Sequence, residues 1–240
     1  MPQAIARKRL TREESRAQTR ERLLDAALEL FIKVGLDATS LEDVAETAGY
    51  SRGAFYSNFA SKDELICEVV DREIQRGQRD MEAIFGQDLP PMERLALIRS
   101  YYVTLGGDVD DCMFWTAVRL YAMQNLNVRP NIAKLLNSHY GEIAKYVRRV
   151  FEELGKEPPA PPEVLAFSLL AQALGLAISR MVDPDLISVE QFQQALSFYF
   201  DGLIGVGAGD CSGSTLGGPE VAARGRHRRP AERHNERNST

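Results

Sequence analysis

The chain has 240 residues, of which 44% are hydrophobic and 26% are charged. This composition excludes a largely disordered chain, and the length suits one helical domain with a small appendage or two modest domains. The net charge of −5 argues against a nucleic-acid partner only as a sum, because the charge is unevenly distributed along the chain.

The chain begins with a basic segment. Its first 24 residues carry seven basic side chains and three glutamates, whereas residues 63–218 carry 13 basic and 22 acidic side chains. We expect residues 1–14 to form a disordered basic arm that can neutralise phosphates, with an ordinary solvated tail as the alternative.

Four helices are predicted in the first part of the chain, because apolar side chains recur at helical spacing and no strand pattern is found. The first covers about 15–34 and is followed by Gly35, a plausible C-cap. The fourth covers about 62–85. Serines that can cap the second, third and fourth helices precede them: Ser40, Ser51 and Ser61. Asp43 and Glu64 stand three residues after the first and last of these serines, which predicts capping boxes.

Five more helices are predicted at about 91–106, 110–125, 131–154, 162–182 and 188–205. Gly106 and Gly107 are expected to break the first of these, and the prolines of 158–162 form a stiff linker. The apolar run 164–179 is short for a membrane span and is interpreted as a buried helix. Residues 206–240 change to Gly/Ser and then to Arg/His/Pro, which predicts a disordered basic tail. The fold class is therefore all-α.

Three cysteines, an odd number without metal-ligand spacing, argue against a disulfide framework or a zinc site. We predict no metal and no cofactor. The amino terminus lacks the apolar segment of a secretory signal, so a cytoplasmic protein without a membrane partner is expected.

Several motifs follow one another between residues 15 and 65. They are T-S-L-x-D-V-A, A-G-Y-S, G-A-F-Y, N-F and S-K-D-E-L, in that order after the Gly35 break. In content and spacing this stretch resembles the TetR family of bacterial transcriptional repressors. The resemblance implies an N-terminal three-helix, helix-turn-helix DNA-binding domain (15–62) and a larger helical ligand-binding and dimerisation domain (63–205). It also implies a homodimer that binds a double-stranded DNA operator and responds to a small-molecule effector.

The third helix carries few apolar residues, and its outer face is polar, as expected of a helix that DNA covers. Arg52 is expected to contact bases or phosphates, and Gly53 allows close approach to the groove. The resemblance assigns phosphate contacts to Tyr56 and Lys62. The complete predicted set of DNA contacts is Thr39, Ser40, Ser51, Arg52, Gly53, Tyr56, Ser57, Asn58 and Lys62. For Ser51 the alternative is a helix cap alone, for Arg52 a solvated charge, and for Asn58 a turn residue.

Aromatic residues are concentrated in the fifth to seventh helices, which predicts a pocket for a hydrophobic or aromatic compound. The predicted lining is Tyr102, Phe114, Trp115, Val118, Met123, His139, Ile143 and Tyr146. An ordinary core is the alternative for each of these residues, and for His139 it is the stronger one.

The last two helices are predicted to form a four-helix bundle with those of a second protomer. Small residues on one helix and an apolar stripe on the other supply the predicted interface: Ala171, Gly175, Phe192, Leu196, Tyr199 and Leu203. The alternative is that both stripes serve the core of the protomer.

The sequence argues against two other functions. An enzyme is disfavoured, because the sequence has no G-x-S-x-G, H-E-x-x-H, phosphate-loop or G-x-G-x-x-G motif and only three histidines. A helical carrier of small molecules or lipids would explain the pocket but not residues 39–62. The function predicted from the sequence is a ligand-responsive repressor.

Overall fold

The computed structural model describes residues 11–183 and 185–205, and all regular structure in these residues is helical. Nine helices follow one another in this described part of the chain: α1 (Arg12–Lys33), α2 (Leu41–Thr47), α3 (Arg52–Tyr56), α4 (Lys62–Phe85), α5 (Pro91–Gly107), α6 (Val109–Gln124), α7 (Arg129–Glu153), α8 (Pro162–Val182) and α9 (Val189–Gly205). The predicted all-α fold is confirmed. Most of the predicted basic arm and all of the predicted tail lie outside the described residues.

The first helix begins earlier than predicted, at Arg12 instead of about residue 15. The cause is a capping box one turn upstream. The Thr11 hydroxyl accepts from the Glu14 backbone N–H at 3.1 Å, and the Glu14 carboxylate accepts from the Thr11 N–H at 2.7 Å. Residues 12–14, which were predicted to belong to a disordered arm, are therefore helical.

The turns on either side of α2 depend on caps and on two glycines. Ser40 and Asp43 form the predicted capping box at the start of α2. Gly35 and Gly49 adopt φ values of 88° and 76°, a left-handed conformation that residues with a Cβ rarely adopt. These turns set the angle between α1, α2 and α3.

The break between α5 and α6 occurs at Asp108, not at the glycine pair. Asp108 Oδ1 accepts from the backbone N–H groups of Asp110 and Asp111, so this carboxylate caps α6. Gly106 remains helical, and a Cβ there would lie 2.3 Å from Cζ of Phe192. The glycine therefore serves close packing of α5 against α9.

A single apolar core joins the first four helices to α6 and the start of α7. Phe31, Phe55 and Leu65 are fully buried in the same cluster as Phe114 and Ile132. The unit formed by α1 to α3 is thus packed directly against α6 as well as connected through α4. A second core, around Phe85, Tyr102, Leu169 and Phe200, joins α4 and α5 to α8 and α9.

Helix α8 was interpreted as buried, and this is true of one face only. Leu165, Leu169 and Ala173 are buried, whereas Val164 and Phe167 are more than half exposed. Among the described helices, α8 alone is long and apolar enough to cross a membrane by length and composition, a test that core helices of soluble proteins also pass. Only 28% of its most apolar window is buried in the protomer, so this helix has an apolar face without a partner.

Candidate DNA interface and ligand cavity

Helix α3 is held in place by two phenylalanines. Phe55 and Phe59 are buried, with ring centroids 5.5 Å apart. The Arg20 guanidinium lies 4.2 Å from the centroid of Phe59, donates to the Asn58 carbonyl and pairs with Glu68. The contribution of Arg20 to this anchor was not predicted from the sequence, where Arg20 counted only as one of the basic side chains of the N-terminal segment.

The outer face of α3 is exposed and is not used by the core. Ser51, Arg52, Gly53, Tyr56 and Ser57 are all exposed. A Cβ at Gly53 would meet only the Ser51 Oγ, at 3.8 Å, so packing within the protein does not require glycine at this position. The absence of a side chain there leaves the helix backbone open to close approach.

Arg52 is held by contacts that DNA could replace. Its Nε lies 2.9 Å from Oε1 of Glu42 on α2, and both side chains are well exposed. Its guanidinium carbon is 5.6 Å from the centroid of Tyr56. An exposed ion pair of this kind contributes little to stability, so the arginine can exchange Glu42 for a phosphate or a base.

Lys62 lies at the start of α4 and links it to the turn before α2. Its Nζ donates to the Asp37 carbonyl at 3.0 Å. Partial burial lowers the pKa of Lys62. A cation at a helix amino terminus is disfavoured by the helix dipole, and a nearby phosphate would offset this.

Two predicted contact residues are corrected by the structure. Thr39 is only 2% exposed, and its hydroxyl donates to the Gly35 carbonyl at 2.8 Å. Asn58 is buried, and its amide donates to the Ala54 carbonyl at 2.8 Å, so it closes the end of α3. Neither side chain is available to DNA. Ser40 keeps its capping role, because its hydroxyl both donates to the Asp43 carboxylate and accepts from the Asp43 N–H.

A cavity of about 330 Å³ lies between α4, α5, α6 and α7. Most of the predicted pocket residues line it: Tyr102, Phe114, Trp115, His139, Ile143 and Tyr146. Two do not. Val118 is fully buried in the core shared with α1 to α4, and Met123 is 63% exposed near the end of α6.

The walls of the cavity are more acidic than was predicted from the sequence. Six carboxylates line it: Glu73, Asp80, Asp108, Asp110, Asp111 and Glu142. The run D-V-D-D at 108–111 was visible in the sequence. Its orientation towards the cavity follows from the cap at Asp108, which was not predicted.

Asp111, Trp115 and His139 form the centre of one wall. The indole Nε1 of Trp115 donates to Oδ1 of Asp111 at 3.2 Å. The Trp115 and His139 rings are stacked, 6.2 Å apart with an interplanar angle of 2°. Burial, and then the charge of Asp108, raises the pKa of Asp111 to about 6. Burial also lowers the pKa of His139 to about 4, which keeps the imidazole neutral at pH 7.

The predicted dimer residues divide between exposed and buried positions. Ala171 and Gly175 are exposed on α8. Phe192 and Leu196 are fully buried against α5, α6 and α8, so their assignment to an interface between protomers is wrong.

Tyr199 and Leu203 are partly buried within the protomer, and the Tyr199 hydroxyl donates to the Leu165 carbonyl at 3.0 Å. The predicted interface residues of α9 thus lie on its inner stripe. The exposed apolar residues of α8 and α9 that were not predicted include Val164, Phe167, Val182 and Phe198.

Comparison with known proteins agrees with the geometry of α1 to α4. Residues 23–69 match the family model for bacterial regulatory proteins, tetR family. The chain is 39% identical over 75 residues to the HTH-type transcriptional regulator AcrR of Shigella flexneri. That match covers 31% of this chain and 34% of AcrR. The chain thus spans about a third of the length of the curated relatives it matches.

Solved structures extend the likeness to the whole described fold. A transcriptional regulator from Rhodococcus sp. Rha1 matches with a TM-score of 0.65 and 24% identity, over 79% of this chain and 97% of that one. The SmeT–triclosan complex matches with a TM-score of 0.60 and 24% identity, over 77% of this chain and 90% of that one. At this identity the two structures establish a shared fold.

Proposed function

We propose that this chain, which belongs to the TetR family of bacterial regulatory proteins, is a cytoplasmic, ligand-responsive repressor that binds a palindromic operator as a homodimer. A small hydrophobic or aromatic molecule in the cavity releases it from DNA. The observation that carries the proposal is the polar outer face of α3, which the core leaves exposed. Arg52, Gly53 and Tyr56 make no contact there that the fold requires.

A homodimer follows from the small size of the recognition helix. Helix α3 has five residues, so one copy can contact only a few base pairs. Two copies related by a two-fold axis would bind two half-sites separated by about one helical turn or a multiple of it. The exposed apolar face of α8 and Phe198 of α9 offer the surface that would join the protomers.

The link between ligand and DNA is proposed to pass through α4. Arg76, Gly77 and Met81 of this helix line the cavity, and Lys62 at its start lies beside the turn before α2. A ligand that favours one position of α4 would change the spacing of the two recognition helices. A coupling of about 1–3 kcal/mol suffices for a change of several-fold to about a hundredfold in operator affinity. The bound triclosan of the SmeT complex supports a small-molecule role for this fold.

Selection from a random duplex pool, followed by footprinting, tests the proposal. We expect a footprint with two-fold symmetry and an affinity that falls steeply with salt. Tyr56→Phe and Lys62→Ala should weaken binding to all sequences similarly, whereas Arg52→Ala should change sequence preference. Lys134→Ala, which removes an exposed charge on α7, is the control.

The alternative function, a helical carrier without DNA binding, makes the opposite prediction. A carrier would bind its ligand but would show neither selection of a sequence nor a salt-dependent affinity for duplex DNA. A footprint without two-fold symmetry would contradict the dimer while leaving DNA binding in place.

A further inference from the structure

The charge of the cavity wall is strongly one-sided. Six carboxylates line the cavity, and among its described lining residues Arg76 carries the one positive charge at pH 7, because His139 is neutral there. The Arg119 guanidinium, 5.8 Å from the Trp115 ring and bonded to the Trp115 carbonyl at 3.0 Å, does not line this cavity. It lines a smaller adjoining cavity that shares Asp111, Trp115 and His139, so the carboxylates still outnumber the cations around the combined space. A ligand that enters therefore meets a negative electrostatic potential.

The carboxylates differ in how well the protein compensates them. Glu73 lies 3.5 Å from the guanidinium groups of both Arg72 and Arg76, and Glu142 lies 2.7 Å from Nζ of Lys145. Asp108 accepts from two backbone N–H groups at the start of α6. These groups have partners within the protein.

Asp111 has a weaker partner. Among the described residues its side chain accepts one hydrogen bond, from the neutral indole of Trp115, and forms no ion pair. Its surroundings disfavour the charged form, since burial and the nearby Asp108 raise its pKa to about 6. A cation beside Asp111 would relieve this unfavourable charge.

Aromatic rings surround the same space. Tyr101, Tyr102, Phe114, Trp115 and Tyr146 all line the cavity. A cation over the face of such a ring is attracted by the negative face of its π-system, most strongly for tryptophan. The Nδ1 atom of His139, stacked on Trp115, is buried without a hydrogen-bond partner in the described structure. The wall thus combines apolar area, aromatic ring faces and one buried nitrogen, Nδ1 of His139, that has no hydrogen-bond partner among the described residues.

The arrangement does not suit a metal ion. No three His, Cys, Asp or Glu side chains of residues 11–183 and 185–205 are grouped closely enough to hold one. The carboxylates are instead spread around a volume of about 330 Å³, which is the size of a small organic ligand. Carboxylates that are spread around an aromatic interior suit a bulky organic cation better than a compact metal ion.

We infer that the cavity binds a lipophilic organic cation, a quaternary ammonium or protonated amine on an aromatic body, with the charge beside Asp111 and the body against Trp115 and Tyr102. The inference rests on the proposed function, whose effector it assigns to a chemical class. The negative wall would exclude anions of the same shape.

A pair of isosteric probes isolates the contribution of charge. (4-Hydroxyphenyl)trimethylammonium and 4-tert-butylphenol have nearly the same shape and differ by one positive charge. Binding is measured at pH 7 by calorimetry and by the fluorescence of Trp115, the single tryptophan of the chain. We expect the cation to bind at least about tenfold more tightly than the neutral probe.

Two matched substitutions locate the effect. Asp111→Asn keeps an acceptor for the Trp115 indole, removes the charge and should weaken binding of the cation about tenfold, with the neutral probe changed less than about twofold. Asp88→Asn removes an exposed carboxylate that does not line the cavity and should change neither. Equal affinity for the two probes in the unmodified protein overturns the inference, whether or not the Asp111 variant folds.

Failure of the inference and failure of the proposed function are distinguishable. If the neutral probe binds better and still releases operator DNA, the regulator stands and the cation assignment falls. If the cation binds selectively while no duplex is selected from the random pool, the assignment stands for a carrier protein and the regulator falls.

Discussion

The Tyr121 hydroxyl donates to Oδ1 of Asp63 at 3.1 Å, which ties the end of α6 to the start of α4. Burial, and then the hydrogen bond to Asp63, raises the pKa of Tyr121 to about 12, so it remains a donor at neutral pH. Lys62, next to Asp63, holds the turn before α2 through the Asp37 carbonyl. Both α4 and α6 line the cavity further along their length. Two helices thus connect the cavity with one point beside the DNA-binding unit.

Tyr121→Phe should weaken the coupling between ligand and operator. The ring stays in the core, so the fold and the operator affinity without ligand should be retained, although the free energy of unfolding should fall by about 1.5–3 kcal/mol with the lost hydrogen bond to a charged acceptor. Loss of the link between α6 and α4 should reduce the ligand-induced change in operator affinity several-fold. Fluorescence anisotropy of labelled operator, with and without a saturating ligand, measures this. Tyr140→Phe on α7 is the control, and an unchanged ligand response in Tyr121→Phe would mean that this bond does not carry the coupling.

Glu42→Gln should increase operator affinity. Arg52 is paired with Glu42 at 2.9 Å, and that pair must open before the arginine can contact DNA. The carboxylate also repels phosphates near the start of α2. Removing it should tighten operator binding about two- to fivefold at low salt, with the gain shrinking as salt is added.

A matched control exists for Glu42. Glu29→Gln also removes one exposed carboxylate from an ion pair, here with Lys33 on α1, outside the α2–α3 pair. It should change operator affinity far less. Equal gains from the two variants would mean that total charge, and not release of Arg52, is responsible.

Gly175→Leu should separate the protomers without damaging either one. A Cβ at Gly175 meets nothing within 4 Å in the protomer, so a larger side chain has room in the monomer but would block close approach of a second α8. Phe198→Asp should act similarly, because this ring is 82% exposed. Sedimentation should show monomers for both variants, with operator binding lost and the helical circular dichroism retained.

Gly107→Leu is the control for this surface, since a Cβ there also meets nothing within 4 Å. Tyr199→Asp, at another residue of the predicted interface, is unsuitable as a probe. The Tyr199 hydroxyl donates to the Leu165 carbonyl within the protomer, so its loss would disturb the fold itself. Dimers that persist in both Gly175→Leu and Phe198→Asp would place the interface elsewhere.

Most helix limits were predictable because the chain marks them with local chemistry, whereas the start of α1 and the break between α5 and α6 were not. Ser61 marks the start of α4, since its hydroxyl accepts from the Glu64 N–H at 3.1 Å. The predicted capping box is not reciprocal, because the Glu64 carboxylate accepts from the Ala60 N–H and not from that of Ser61. The outer face of α3 was predictable for the same reason, since apolar spacing alone identifies Phe55 and Phe59 as its anchors. The spacing of apolar residues was sufficient to predict the buried face wherever a helix has a single apolar face.

The prediction of the dimer interface failed because a helix such as α9 has two apolar faces. Periodicity shows that Phe192 and Leu196 share a face of α9, but it does not tell whether that face meets α5 or a second protomer. The acidic cavity wall was not predicted for a different reason. Its carboxylates come from α4, α6 and α7, and no single stretch of sequence indicates that Glu73 and Glu142 face Asp111.

Asp111 and His139 should make opposite contributions to the pH dependence of stability. The pKa of Asp111 is about 6 in the folded protein, above its ordinary value of 3.8, so its contribution to the free energy of unfolding rises as pH falls from about 6 to 4. The pKa of His139 is about 4, below its ordinary 6.5, so its contribution is full above pH 6.5 and is lost as pH falls to about 4. The two effects oppose each other over the same range.

Asp111→Asn should therefore stabilise the protein at pH 7 by about 1–3 kcal/mol and make its stability fall more steeply below pH 6.5. His139→Gln should have the opposite effect on the slope. Its free energy of unfolding should fall less steeply below pH 6.5, or should rise as the pH falls. Charged groups that also influence these sites, namely Asp108, Glu73 and Arg76 for Asp111 and Arg119 for His139, remain in both variants. Urea unfolding at pH 7, 6 and 5 gives the comparison, with the exposed Asp88→Asn as control. If the curves of Asp111→Asn and the unmodified protein run parallel from pH 7 to 5, Asp111 ionises normally in the fold and has no unfavourable charge for a cation to relieve.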